Sequence, residues 1–236
     1  MQYYHKKIEV DVHDVDVNGL ARASALMRYI QSAAQYQLTD KGMSYDNLKN
    51  RNKAFILSRI KMEFTEPIRA YERLNAITFP CESRGYSFLR CYKLERDGIT
   101  VGRAASVWAL VDTGTHALIR VNDFDLGLDT YTPLDISPSR IVMPADMSEV
   151  GKYRVTYGVT DQNRHMNNTA YPDMFANFMP MDNNRIESLT VNFLNEAPLG
   201  DVLTVMSAQR DDVFYFRTVR GDGKTNTEAE IHLAAI

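Results

Sequence analysis

The sequence predicts an α+β fold of two tandem modules, each a long helix packed on an antiparallel β-sheet. Three observations carry the prediction. One strand-like run, one helix-like run and four more strand-like runs occur in that order twice along the 236 residues. A short polar segment recurs between first strand and helix, as Asp16-Val17-Asn18-Gly19-Leu20 and as Asp161-Gln162-Asn163-Arg164-His165. Turn signals, Arg96-Asp97-Gly98 and Gly221-Asp222-Gly223, separate the last two strands of each copy.

In the first copy Tyr3–Val12 alternates apolar and polar residues and reads as a strand. Ala23–Thr39 reads as a helix, with Leu26, Ile30, Ala33 and Leu38 on one stripe and Gly42 as the stop. The polar run Ser44–Lys53 reads as a loop or lid-like excursion. Strands are expected at Phe55–Glu63, Arg73–Pro80, Ser87–Glu95 and Val101–Asp112. From Gly114 to Val150 the pattern decays, and Pro133, Pro138 and Pro144 mark a linker. The second copy resumes with a strand at Tyr153–Val159 and a shorter helix at Thr169–Phe178. Its remaining strands are expected at Arg185–Phe193, Val202–Ala208, Val213–Arg220 and Thr227–Ala235. This divides the chain into an N-terminal module (1–130), a linker (131–150) and a C-terminal module (151–236).

Composition narrows the function classes. Hydrophobic residues at 44% and charged residues at 24% describe an ordinary globular protein. A net charge of −3 gives no support to general nucleic-acid binding. Two cysteines, Cys81 and Cys91, are too few for a secreted disulfide scaffold and read as free thiols in a reducing cytoplasm. The opening residues carry no signal-peptide core, and no apolar run nears the roughly 18 residues of a membrane helix. A cytoplasmic location without a membrane span is expected. His5, His13, His116 and His232 are scattered, with no HxxxH or CxxC spacing, so neither metal nor cofactor is expected. There is no Gly-rich phosphate loop and no GxSxG elbow.

Four further runs carry a resemblance. They are Ala54–Met62, Gly102–Asp112, Asp161–Tyr171, and Asn195-Glu196-Ala197 just ahead of Gly200-Asp201-Val202-Leu203. In this order, over nearly the full length, the chain resembles the acyl-acyl-carrier-protein (acyl-ACP) thioesterases of plants and bacteria. The resemblance implies a tandem hotdog fold, in agreement with the internal repeat. It implies hydrolysis of fatty acyl-ACP thioesters to free fatty acid and ACP, with acyl carrier protein as partner. It places the catalytic residues at Asp161, Asn163, His165 and Glu196. It assigns the acyl-chain pocket to the first module, where Leu26, Tyr29, Ile30, Phe55, Ile56 and Trp108 are candidates. Plant members have a cysteine directly after the glutamate; this chain has Ala197, which excludes a cysteine nucleophile there.

These residue types suit thioester hydrolysis, which needs a placed water or nucleophile, a base, and donors for the oxyanion. Asp161, Asn163 and His165 alternate, so an extended segment would turn all three to one face. Asn167 or Asn168 can cap the following helix, whose N–H groups favour an anion. A partly desolvated Glu196 would serve as base toward water, or would attack directly to give an anhydride. By itself Asp-x-Asn-x-His is also a polar loop capping a helix. The first copy has Leu20 at the histidine position and reads as catalytically dead. An acidic carrier needs a basic surface, for which Arg22, Arg28, Arg59, Lys61, Arg69 and Arg73 are candidates. Acyl-CoA hydrolysis and non-catalytic acyl binding remain alternatives, as does a hotdog dehydratase. Single hotdogs commonly pair; two modules could satisfy that pairing within one chain, and a homodimer is possible.

Overall fold

The computed structural model describes residues 3–236; Met1 and Gln2, which open the expected N-terminal module, lie outside the described residues. The strands are β1 (Tyr4–Glu9), β2 (Lys53–Phe64), β3 (Arg73–Pro80), β4 (Phe88–Arg96), β5 (Ile99–Asp112) and β6 (Leu118–Ile119), then β7 (Ser148–Arg154), β8 (Asn184–Phe193), β9 (Val202–Arg210), β10 (Val213–Val219) and β11 (Thr225–Ala235). The helices are α1 (Ala23–Asp40), α2 (Tyr45–Asn50) and α3 (Tyr171–Ala176). Most expected strand ends fall within two residues of these bounds.

All strands join one antiparallel sheet in the order β1-β3-β4-β5-β2-β8-β11-β10-β9-β7, with β6 paired to β5. The seam between copies is β2 against β8, with Arg59 opposite Asn192, Ile60 opposite Val191 and Met62 opposite Leu189. Helix α1 packs over β1, β3 and β4 and touches α3. Leu26 and Ile30 on α1, Ile60 and Met62 on β2, Leu189 and Val191 on β8, and Phe175 on α3 are buried in one shared core. Ala23 starts α1 as expected, and Gly42 stops it at φ +73, with Met43 N–H donating to the Leu38 carbonyl at 2.9 Å.

Three expectations are corrected. The polar run at Ser44–Lys53 holds helix α2, capped by Ser44 and anchored by buried Leu48. The strand expected at Tyr153–Val159 is β7, which lies earlier, and Tyr157–Val159 is a 3-10 turn. The first copy has the same turn at Val12–Asp14. Helix α3 is only six residues long and is led by a 3-10 turn at Asn168–Ala170. The segment after β6 is not loose. Phe124 packs with Leu48 and Phe88, while Ile136 and Tyr131 cover the back of β3 and β4 beside Phe79, Cys81 and Cys91. Both faces of β3 are thus covered, which fits its nearly continuous burial.

A shared core and a continuous sheet predict one cooperative unfolding transition for both modules. Replacing seam residue Leu189, fully buried, by alanine should cost about 2–5 kcal/mol in denaturant unfolding while keeping a single transition. Two resolved transitions would contradict the shared core.

Candidate active site

The segment Asp161–His165 is a tight turn, not the extended segment expected. The Asp161 N–H donates to the His165 carbonyl at 2.8 Å, and the Arg164 N–H to the Asp161 carbonyl at 3.0 Å. Arg164 lies at φ +63. Asp161 Oδ1 accepts from the backbone N–H groups of Asn163 (2.8 Å) and His165 (3.3 Å). A carboxylate that gathers N–H groups two and four residues ahead folds its own chain over, so alternation no longer applies. The first copy repeats the device: Asp16 Oδ1 accepts from Asn18 N–H at 2.8 Å and Leu20 N–H at 3.1 Å. There Gly19 takes the left-handed position, φ +71, at no steric cost.

A backbone ladder brings Glu196 to this turn. The Met166 N–H donates to the Ala197 carbonyl and the Leu199 N–H to the Arg164 carbonyl, both at 2.8 Å, and His165 bridges Pro198. His165 Nδ1 consequently lies 3.4 Å from Glu196 Oε2. The two side chains are 32% and 58% exposed, which corrects the expectation of a desolvated glutamate. Its loop is fastened by Asn226 on β11, a residue the sequence reading missed. Buried Asn226 donates from Nδ2 to the Asn195 carbonyl and to Tyr171 Oη, and its own carbonyl accepts from the N–H groups of Leu194 and Asn195. Burial, with the nearby charges of Asp201 and Glu196 adding to it, pushes the Tyr171 phenol up to about 12 against the opposing Asn226 bond and Arg220 charge, so it stays neutral.

The helix cap is Asn167, whose Oδ1 accepts from the Thr169 N–H (2.9 Å) and hydroxyl (2.8 Å). Asn168 Oδ1 is buried and has no hydrogen-bond partner among the described residues. Asn163 is reached from the other module: Tyr45 on α2 donates its hydroxyl to Asn163 Oδ1 at 2.6 Å. Asn18 makes the reciprocal crossing, donating to the Met181 carbonyl at 2.8 Å and the Asn184 carbonyl at 3.3 Å. Tyr45 was hidden inside a run read as polar loop.

A cavity of about 930 Å³ lies in the first module, between the C-terminal half of α1, the ends of β3 and β4, and the segment from Val121 to Thr130. Phe55 and Trp108 line it. A second cavity of about 380 Å³ lies between α3 and the turn of the first copy, and Leu26 lines that one. Tyr29, Ile30 and Ile56 line neither. Tyr29 donates to Asp14 Oδ2 at 2.6 Å, and burial together with that bond pushes its phenol up. Ile30 is in the core, and Ile56 is 39% exposed. None of Asp161, Asn163, His165 and Glu196 lines the larger cavity.

The repeat shows how the two are related. Leu20 bridges Arg69 as His165 bridges Pro198, which sets Pro67 at the position of Glu196. The first copy has therefore lost both members of the His–Glu pair. The smaller cavity occupies the degenerate position and is walled by Leu20, Pro67 and, from α3, Ala176. In the same register the counterpart of Ala176 is Gln31 of α1. Gln31 also lines the larger cavity. Cys81 and Cys91 are fully buried free thiols on the back of the first module's sheet.

Comparison with known proteins agrees with this fold. The family model described as acyl-ACP thioesterase N-terminal domain matches residues 1–125, and that described as acyl-ACP thioesterase C-terminal domain matches 143–234. The fold is that of an acyl-ACP thioesterase from Bacteroides thetaiotaomicron, with a TM-score of 0.90 at 20% identity over 98% of both chains. It is also that of a 12:0-ACP thioesterase from Umbellularia californica, with a TM-score of 0.85 at 15% identity over 99% of this chain and 98% of the other. No curated protein matches the chain by sequence. No helix among the described residues is long and apolar enough to cross a membrane. Two family models in tandem, on this fold, make the chain a member of the acyl-ACP thioesterase family and a thioester hydrolase.

Proposed function

We propose that the chain hydrolyses fatty acyl-ACP to free fatty acid and ACP at the His165–Glu196 pair. The observation that supports this most is the 3.4 Å approach of His165 Nδ1 to Glu196 Oε2, built by a backbone ladder, in a chain whose first module holds an acyl-sized cavity. Glu196 takes a proton from water, and the resulting hydroxide attacks the thioester carbonyl carbon. Charge gathers on the carbonyl oxygen. We assign the Asn168 backbone N–H and Asn163 Nδ2, which otherwise points to Asp161 Oδ2 at 3.5 Å, as its donors. The carbon–sulfur bond then breaks; Glu196 passes its proton to His165 Nδ1 across their contact, and His165 gives the proton on its other ring nitrogen to the leaving thiolate. Asp161 acts through the backbone, holding His165 on its turn. Tyr45 steadies Asn163, and Asn226 steadies the loop of Glu196.

Membership of the family supports an acyl carrier as the handle. A carrier is acidic, and the cations of the site's own rim suit it: Lys49 and Arg51 on and after α2, and Arg164 on the catalytic turn. None has a carboxylate partner among the described residues. Among the cations named from sequence, Arg28 pairs with Asp14, Lys61 with Glu63 and Arg73 with Glu9. Carrier and acyl chain together would cover the exposed Glu196.

Replacing Glu196 by glutamine, which keeps the shape and removes the base, should lower kcat on an acyl-ACP about a hundredfold or more. A loss within about threefold would remove Glu196 from the chemistry. Raising the salt concentration should lower kcat/KM for acyl-ACP and leave that for the same acyl group on pantetheine nearly unchanged. Equal salt response would contradict docking at the rim, and a preference for the acyl-CoA over the acyl-ACP would move the substrate assignment to coenzyme A.

A further inference from the structure

The larger cavity holds a charge that the hydrolysis reaction does not use. Arg90 on β4 lines it and is 7% exposed. No carboxylate lies within ion-pairing distance of its guanidinium among the described residues. Its two hydrogen bonds both leave from Nη1, to Gln37 Oε1 at 2.6 Å and Thr78 Oγ1 at 3.0 Å. Both partners are neutral. Nε and Nη2 make no hydrogen bond among the described residues, yet neither is sealed by protein atoms in the way that leaves a buried donor orphaned. Their remaining donors therefore open on the cavity. Burial works against the charge of this group, and a guanidinium stays charged in proteins. A buried cation without a counter-charge is costly. A contact to neutral groups alone leaves that cost largely standing.

The surroundings limit what could meet it. Phe55, Phe88, Trp108 and Phe124 form an apolar wall to the same cavity. Gln31 lines it as well, and its Nε2 is buried with no hydrogen-bond partner. The carboxylates of the lining, Glu82 and Asp125, are exposed at the rim. An occupant of this space is thus mainly apolar, with an oxygen acceptor at the depth of Arg90. Arg90 is on β4, three strands from β8 in the sheet and hence about 14 Å across it from the strand that leads to Glu196. A chain whose thioester lies at the His165–Glu196 pair meets Arg90 with its distal part, not with its reacting carbonyl.

We propose that Arg90 binds an oxygen function, a hydroxyl or a carboxylate, carried on the distal part of the acyl chain, so that the enzyme selects oxygenated acyl groups over plain ones. This rests on the reading that the large cavity receives the acyl chain of a thioester substrate.

The test uses the full-length protein and three non-hydrolysable alkyl thioethers of pantetheine. One has a plain medium-length chain, one the same chain ending in a hydroxyl, and one ending in a carboxylate. Calorimetry should give at least about tenfold tighter binding to one or both oxygenated probes, the scale of a hydrogen bond to a charged group. Tightening with the carboxylate alone assigns an acid terminus; tightening with both assigns any oxygen acceptor. Arg90→Met should abolish the preference while retaining the plain probe, and Arg90→Lys should keep part of it. Should Arg90→Met fail to fold, the wild-type comparison and Arg90→Lys decide. Equal or tighter binding of the plain probe to the wild type would overturn the proposal. Hydrolysis of plain acyl thioesters with no preference among the probes overturns the role of Arg90 alone. A preference among the probes without hydrolysis of any thioester overturns the proposed reaction alone.

Discussion

Pairing of β2 with β8 is the constraint on which the rest of the molecule depends. It joins the five strands β1-β3-β4-β5-β2 to the five strands β8-β11-β10-β9-β7 in one sheet over one core, and it fixes the helices over a common surface. It also sets each module's polar turn against the other module. Tyr45 reaches Asn163 from the first unit, and Asn18 reaches the carbonyls of Met181 and Asn184 in the second. A separated module would leave those groups without partners and would expose the apolar faces of Met62 and Leu189. The proposed active site is accordingly a property of the junction, and neither unit contains all of it.

The two copies kept the scaffold and divided the work. Both retain the aspartate that folds the turn, the left-handed residue within it, and the ladder to the loop after the seam strand. Even a supporting ion pair recurs, Arg96 with Glu72 and Arg220 with Asp201. The groups able to move protons were not kept. Leu20 and Pro67 stand where His165 and Glu196 stand, so the geometry survives without the chemistry. The first copy instead holds the large cavity, with the segment after β6 forming one of its walls.

Local physics made much of this readable from sequence. Alternation located the strands, Gly42 the end of α1, and Asp97-Gly98 the hairpin, because each depends on residues close in the chain. The turn at Asp161 was misread although Asn18-Gly19 in its sister copy is a turn signal. Helix α2 escaped notice because it is short and polar, and Leu48 and Tyr45 matter only through contacts distant in sequence. The seam left no trace, since a strand edge that pairs with another module has the same alternation as one that does not. Asn226 could not be found, because a buried amide on a strand acquires its meaning from the loop it holds. Exposure of Glu196 likewise depends on the fold around it.

In the proposed reaction Glu196 activates water toward the thioester. A single turnover of acyl-ACP in heavy-oxygen water, followed by mass spectrometry of both products and protein, tests it most directly. The account predicts heavy oxygen in the released fatty acid and none in the Glu196 carboxylate. Heavy oxygen in that carboxylate would mean that Glu196 itself attacked the acyl group, and would contradict it.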